Sequence, residues 1–168
     1  DRPHPLNVYG HSKLAGEQLV QTLCQRYFIV RTSWLYGVDG RNFAKTMIAL
    51  AKKGEPIKVV DDQFGSPTFA YDLSRFLGEL IETSRFGIYH ATNSGHCSWF
   101  DFAAAIFEES RLNVSLEPCT TDQFPRPARR PRYSVLDNMA IRVNGFRPLR
   151  HWREALREWV EGTKQLQI

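Results

Sequence analysis

Cysteine is scarce in this chain: 168 residues contain three, Cys24, Cys97 and Cys119, and only two methionines. No C-x-x-C pair occurs, and His96 stands next to Cys97 rather than at ligand spacing. A zinc knuckle and a disulfide framework are both excluded, and reduced thiols point to a cytoplasmic protein. No apolar run approaches the roughly 20 residues needed to span a bilayer, so no membrane partner is expected. No secretory leader pattern is visible. A glycine-rich phosphate loop is missing as well: the 11 glycines make neither G-x-G-x-x-G nor G-x-x-G-x-x-G. A dinucleotide fold carries that loop after its first strand, so a phosphate-binding half, if there is one, lies upstream. The chain opens Asp1-Arg2-Pro3-His4-Pro5 without an initiator methionine and reads as a fragment.

What is present is the composition of a globular domain, 42% hydrophobic and 24% charged. The net charge of +4 admits two readings, a solvated surface rich in arginine or a surface that meets an anion. The second gains from Arg126, Arg129, Arg130 and Arg132, which crowd one proline-rich stretch. The remaining basic residues are scattered and no basic-aromatic reader motif appears, so nucleic acid is not expected as a partner. Asp61, Asp62 and Glu17 read as solvated acids, and no metal site is expected. His11 reads as surface and His90 as a satisfied core histidine.

Hydrophobic periodicity predicts helices over 8–27, from Asn42 to Gly54, over 71–83, over 99–110 and over about 151–166. Ser98 with Asp101 three residues on forms a capping signal before the fourth of these. Apolar, β-rich runs predict strands at 28–34, 57–60, 87–91 and 114–117, with 61–67 and 122–134 as loops. Helices alternating with short apolar strands indicate an α/β fold with parallel strands. Most of the four tryptophans read as core, with Trp34, at a strand end, the exception.

The sharpest chemical signal is Tyr9-Gly10-His11-Ser12-Lys13. On a helix, positions i and i+4 share a face, so the Tyr9 phenol and the Lys13 ammonium point into one site. Carbonyl reduction needs this pairing, because negative charge grows on oxygen as hydride arrives and an acid must supply a proton. A cation within about 4–6 Å favours the phenolate and brings a phenol nearer to working pH. By itself a Y-x-x-x-K match is weak, since an exposed aromatic beside a solvated lysine looks the same. Its context is more specific: Pro5–Glu17 is followed at a fixed interval by Arg31-Thr32-Ser33-Trp34-Leu35-Tyr36-Gly37.

These two segments resemble the catalytic helix and following strand of the extended short-chain dehydrogenases. Together with Asn42–Met47, Asp62–Thr68, Gly87–His90 and the arginine–proline stretch, they are similar to the dTDP-4-dehydrorhamnose reductases within that superfamily. The resemblance runs over nearly the whole chain. It implies the distal part of a Rossmann-like doubly wound parallel sheet plus a small mixed α/β substrate-binding domain. Residues 1–40 would belong to the cofactor domain and 41–168 mainly to the substrate-binding region, with 71–92 a candidate to return to the Rossmann sheet.

Under this resemblance Tyr9 is the general acid, Lys13 binds the nicotinamide ribose of NADPH or NADH and tunes Tyr9, and both touch the cofactor. Trp34 packs on the deoxysugar, Asn42 and the 63–68 loop approach the substrate, and Arg130 reaches the diphosphate. The implied reaction is reduction of dTDP-4-dehydro-L-rhamnose to dTDP-L-rhamnose, which supplies cell-surface polysaccharide. Magnesium is known among relatives, but nothing in this sequence demands it. The oligomeric state stays open, a homodimer included. The family's Ser or Thr that orients the carbonyl is absent along with the glycine loop, so this chain alone is expected to be inactive. The alternatives are a nucleotide-sugar epimerase or dehydratase, and a non-catalytic regulatory subunit on a reductase-like scaffold.

Overall fold

The computed structural model describes residues 3–124, 128 and 130–165, apart from the side chains of 164 and 165. The chain is α/β, and three of the four strand pairs among the described residues are parallel. Helix α1 (Val8–Leu23) is capped by Asn7, whose side chain accepts a hydrogen bond from the Gly10 amide. It leads into β1 (Phe28–Arg31), which pairs in parallel with the later β6 (Gly87–His90). The expected strand over 28–34 ends early because Trp34 takes a left-handed φ of 47°, and a second strand, β2 (Leu35–Tyr36), starts beyond it.

Helix α2 (Phe43–Ala51) precedes β3 (Ile57–Val60), which pairs in parallel with β8 (Leu116–Cys119). The stretch expected to be a loop instead carries β4 (Phe64–Gly65), and β5 (Thr68–Phe69) follows. Strand β5 pairs with β2, and β4 pairs antiparallel with β7 (Cys97–Ser98). Helix α3 (Ala70–Ile81) turns an inward face of Leu73, Phe76 and Leu80. Helix α4 (Trp99–Ser110) opens with the expected capping box, the Ser98 side chain accepting from the Asp101 amide and the Asp101 carboxylate from the Ser98 amide. A short α5 (Met139–Val143), not foreseen from the sequence, precedes α6 (Trp152–Gln165).

Two apolar cores result. The smaller packs Leu73, Phe76 and Leu80 of α3 with Tyr89 of β6 and Ile141 of α5 beneath Phe28 and Val30 of β1. The larger gathers Tyr36, Met47, Val59, Phe102, Ile106, Leu156 and Trp159 from both sides of β2, β3 and β5. Cys97 and Cys119 are buried and Cys24 is exposed, all as free thiols. Among the described residues no helix is long and apolar enough to cross a membrane.

The larger core offers a paired test of packing against polarity. Phe102 is completely buried among Tyr36, Phe43 and Trp152. Phe102→Ala leaves a cavity and is expected to lower the unfolding free energy by about 3–5 kcal/mol. Tyr36 is equally central, but its hydroxyl has no hydrogen-bond partner there, and burial pushes its phenol pKa far up. Tyr36→Phe therefore removes a desolvated polar atom and is expected to leave stability unchanged or higher. Denaturant titration of the two variants checks both outcomes.

Candidate active site and nucleotide cleft

In an open α/β sheet, ligands bind beyond the carboxyl ends of the parallel strands. Only residues 24–27 separate α1 from β1, and the contact of Glu17 with Arg31 brings the helix back alongside the strand it precedes. The Arg31 guanidinium at the end of β1 grips the Glu17 carboxylate through Nε (2.8 Å) and Nη2 (2.5 Å). Lys13 and Tyr9 then stand about 6 and 12 Å farther along the helix, past the strand end, at a rise of about 1.5 Å per residue. The two side chains are neighbours, with the Lys13 Nζ 5.4 Å from the centre of the Tyr9 ring. Tyr9 is 70% exposed and Lys13 is exposed too.

Trp34 follows β1 directly. Its backbone is pinned by the Ser33 hydroxyl donating to the Ser66 carbonyl (2.9 Å) and by the Thr68 amide donating to its own carbonyl (3.1 Å). The indole stacks on Trp99 at 3.6 Å between ring centres and 10° between planes. Gly65 abuts it, where a Cβ would lie 2.3 Å from the indole Cε2. A left-handed bulky residue is costly and persists only where its surroundings dictate it, as the glycine contact and the stack do here.

Trp99 continues the aromatic wall to Phe43 (4.4 Å) and lines a cleft of about 390 Å³ with Met47, Val60, Gln63, Phe124 and Arg130. The volume suits a small organic ligand. Arg130 and Lys58 add positive charge to walls that are otherwise largely apolar, which suits a molecule with a flat apolar part and an anionic tail. The arginine–proline stretch is moored on both sides of Arg130. Thr121 donates to the Asp62 carboxylate through its amide (3.0 Å) and hydroxyl (2.7 Å), and accepts from the Gln63 amide nitrogen (2.9 Å). On the far side, the Phe64 amide donates to the Arg132 carbonyl and the Ser134 amide to the Phe64 carbonyl, each at 2.8 Å. Burial raises the Asp62 carboxyl pKa, but the Thr121 bonds outweigh it and hold the group below the usual carboxylate range.

The sequence reading therefore meets the structure unevenly. Tyr9 and Lys13 come together, Trp34 reaches the cleft through Trp99, and Arg130 lies on the cleft itself. Asn42 is spoken for: its Oδ1 caps α2 at the Lys45 amide (3.0 Å) and its Nδ2 donates to the Gly37 carbonyl (2.9 Å). It lines a different cavity, with Tyr36 and Trp159. Arg126 and Arg129 lie outside the described residues. Trp99, Asp62 and Thr121 were missed as site-builders, whereas Gly65 falls in the 63–68 loop expected to approach the substrate. No group of acidic, histidine or cysteine side chains among the described residues is arranged to hold a metal ion.

His90 closes the back of this region, its Nε2 3.4 Å from the Arg31 Nη1 and its Nδ1 3.2 Å from the Asp137 carbonyl. Burial pulls the imidazole below its usual 6.5; the Asp137 carbonyl opposes this and the Arg31 charge adds to it. The depressed native value means that the unfolded chain takes up the proton first. Stability is thus retained above about pH 6.5 and falls as pH drops from there through the native value. His90→Gln should flatten that limb of a plot of unfolding midpoint against pH. Gly65→Ala forces the indole from its seat, and it should lower stability by about 1–3 kcal/mol and change the tryptophan emission of the Trp34–Trp99 pair.

Residues 1–165 match the family model described as the RmlD substrate binding domain. The spore coat polysaccharide biosynthesis protein SpsK of Bacillus subtilis is 46% identical over 94% of this chain and 55% of its own length. The dTDP-4-dehydrorhamnose reductase of Escherichia coli is 42% identical over 91% of this chain and 55% of its own. The crystal structure of dTDP-4-dehydrorhamnose reductase from Bacillus anthracis in complex with NADP superposes with a TM-score of 0.95 at 48% identity, covering 97% of this chain and 58% of that one. The chain thus spans about half the length of the curated relatives it matches. With the family model covering almost every residue, the chain belongs to the RmlD substrate binding domain family.

Proposed function

We propose that this chain is the substrate-binding portion of an NAD(P)H-dependent dTDP-4-dehydrorhamnose reductase, which converts dTDP-4-dehydro-L-rhamnose to dTDP-L-rhamnose. The observation that carries the reading is the Lys13 ammonium over the exposed Tyr9 ring on a helix pinned to the strand end. The name and NADP complex of the B. anthracis neighbour support it. A reduced nicotinamide, when bound, supplies the hydride for the C4 carbon. The Tyr9 phenol gives its proton to the C4 oxygen as charge grows there, with the Lys13 ammonium beside its ring. Lys13 keeps further N–H groups for ribose hydroxyls, so the donor set suits a nicotinamide nucleotide.

In the same reading the 390 Å³ cleft takes the nucleotide. Its base lies against Phe43 and Trp99, and Arg130 pairs with the diphosphate through its planar fork. Trp34 backs the deoxysugar, and its fixed indole orients the carbonyl without moving on binding. Asn42 serves by setting the start of α2 beneath Phe43 rather than by direct contact. In this reading residues 1–40 with 71–92 form the cofactor side and the remainder the substrate side. The setting is cytoplasmic, and the molecules the site takes are the nucleotide sugar and the reduced nicotinamide nucleotide.

Oxidation of NADPH and of NADH by the intact protein in the presence of dTDP-4-dehydro-L-rhamnose, followed by absorbance, tests this. Turnover is expected, and Tyr9→Phe should reduce kcat by about 10²–10⁴-fold, the range of general acid catalysis. A folded protein that consumes neither cofactor, or a Tyr9→Phe variant as active as the parent, would sink the reading.

A further inference from the structure

Helix α1 presents Tyr9 and Lys13, and its hydrogen bonds show what ties it to the strand that follows. The side-chain hydrogen bonds of Ser12, Gln21 and Thr22 return to carbonyls of the same helix. Among the described residues its one ion pair with another element is Glu17–Arg31, two parallel N–H···O bonds between a carboxylate and a guanidinium. Arg31 is in turn held from behind, through Nη1 against the His90 Nε2 of β6 and from there to the carbonyl of Asp137. Apolar helix faces slide and roll over their neighbours, whereas a bidentate fork fixes both rotation and depth. A slip of one turn would carry Tyr9 about 5.4 Å along the axis. A misplacement of even about 1 Å at a reacting group costs on the order of 10²-fold in rate.

We propose that Glu17 and Arg31 are positioning residues for the proton-transfer pair: their fork sets the height of α1 against β1, and so where Tyr9 and Lys13 stand beyond the strand end. The inference rests on the reductase reading above. It accounts for Glu17 occurring eight residues, about two turns, after Tyr9 and four after Lys13, on the stripe of the helix that faces the end of β1. It also requires arginine specifically at position 31, because a lysine ammonium cannot form the paired bonds.

The test uses the intact enzyme carrying Glu17→Gln, Arg31→Lys, the charge exchange Glu17→Arg with Arg31→Glu, and Tyr9→Phe as a reference. Glu17→Gln and Arg31→Lys are expected to lower kcat about 10–100-fold while KM for the nucleotide sugar stays within twofold, since the cleft is untouched. The charge exchange should recover part of the loss. Hydrogen exchange supplies a readout independent of turnover: amides of residues 11–20 should lose protection in Glu17→Gln while those of α4 keep theirs. Parental kcat in both single variants overturns the proposal, as does undisturbed exchange in α1. A parallel rise in KM with no charge-exchange recovery, from folded protein, also overturns it, because that pattern marks general structural damage. Full turnover by Tyr9→Phe would instead remove the reductase reading itself, and this proposal with it.

Discussion

The left-handed backbone at Trp34 is the constraint on which the rest of the architecture turns. It breaks one extended run into two strands that serve different cores. Strand β1 packs with α3 and α5 in the smaller core, and β2, directly beyond the break, pairs with β5 inside the larger core. A chain that stayed extended through residue 34 would carry Leu35 and Tyr36 past their partners at Thr68 and Phe69. The same kink throws the indole sideways onto Trp99, and only a residue without a Cβ at position 65 leaves it room. Strain, strand pairing and the aromatic wall are therefore one arrangement.

The cleft is assembled by polar moorings rather than by regular structure. Asp62, Gln63 and Phe64 reach Thr121 on one side of Arg130, and Arg132 and Ser134 on the other. Phe124 and Arg130 thus meet walls that come mainly from α2, β3 and α4. Buried polar groups cost free energy unless bonded, so each mooring atom both needs its partner and specifies it. Core and cleft accordingly divide the work, with aromatic packing supplying cohesion and a few directional bonds placing the functional edge.

Local signals carried much of this. The capping box before α4, the helical stripe of α3 and the i, i+4 relation of Tyr9 and Lys13 depend on neighbours in sequence, and each was legible there. The two-residue strands β2, β4, β5 and β7 were not, because strands so short exist only through partners distant along the chain. Nor does a tryptophan advertise a positive φ. Glu17 and Asp62 read as solvated acids since nothing nearby in sequence announces Arg31 or Thr121. Asn42 read as both a cap and a substrate contact, and its hydrogen bonds commit both amide atoms to capping and loop closure. The candidate site was thus visible as a list of reactive groups, while the groups that hold them in place required the fold.

The thiols lead to a practical property. Cys97 lies in the larger core next to α4, where burial drives its pKa up and keeps it protonated, and burial does the same, less strongly, for Cys119 at the end of β8. Thiol reagents act on the exposed, ionised form, so neither should be modified while the fold persists. Cys24 stands exposed directly after the last turn of α1. One maleimide dye would therefore attach at a single place, at the opposite end of the helix from Tyr9. This chain thus carries its own labelling site at the end of that helix, without engineering.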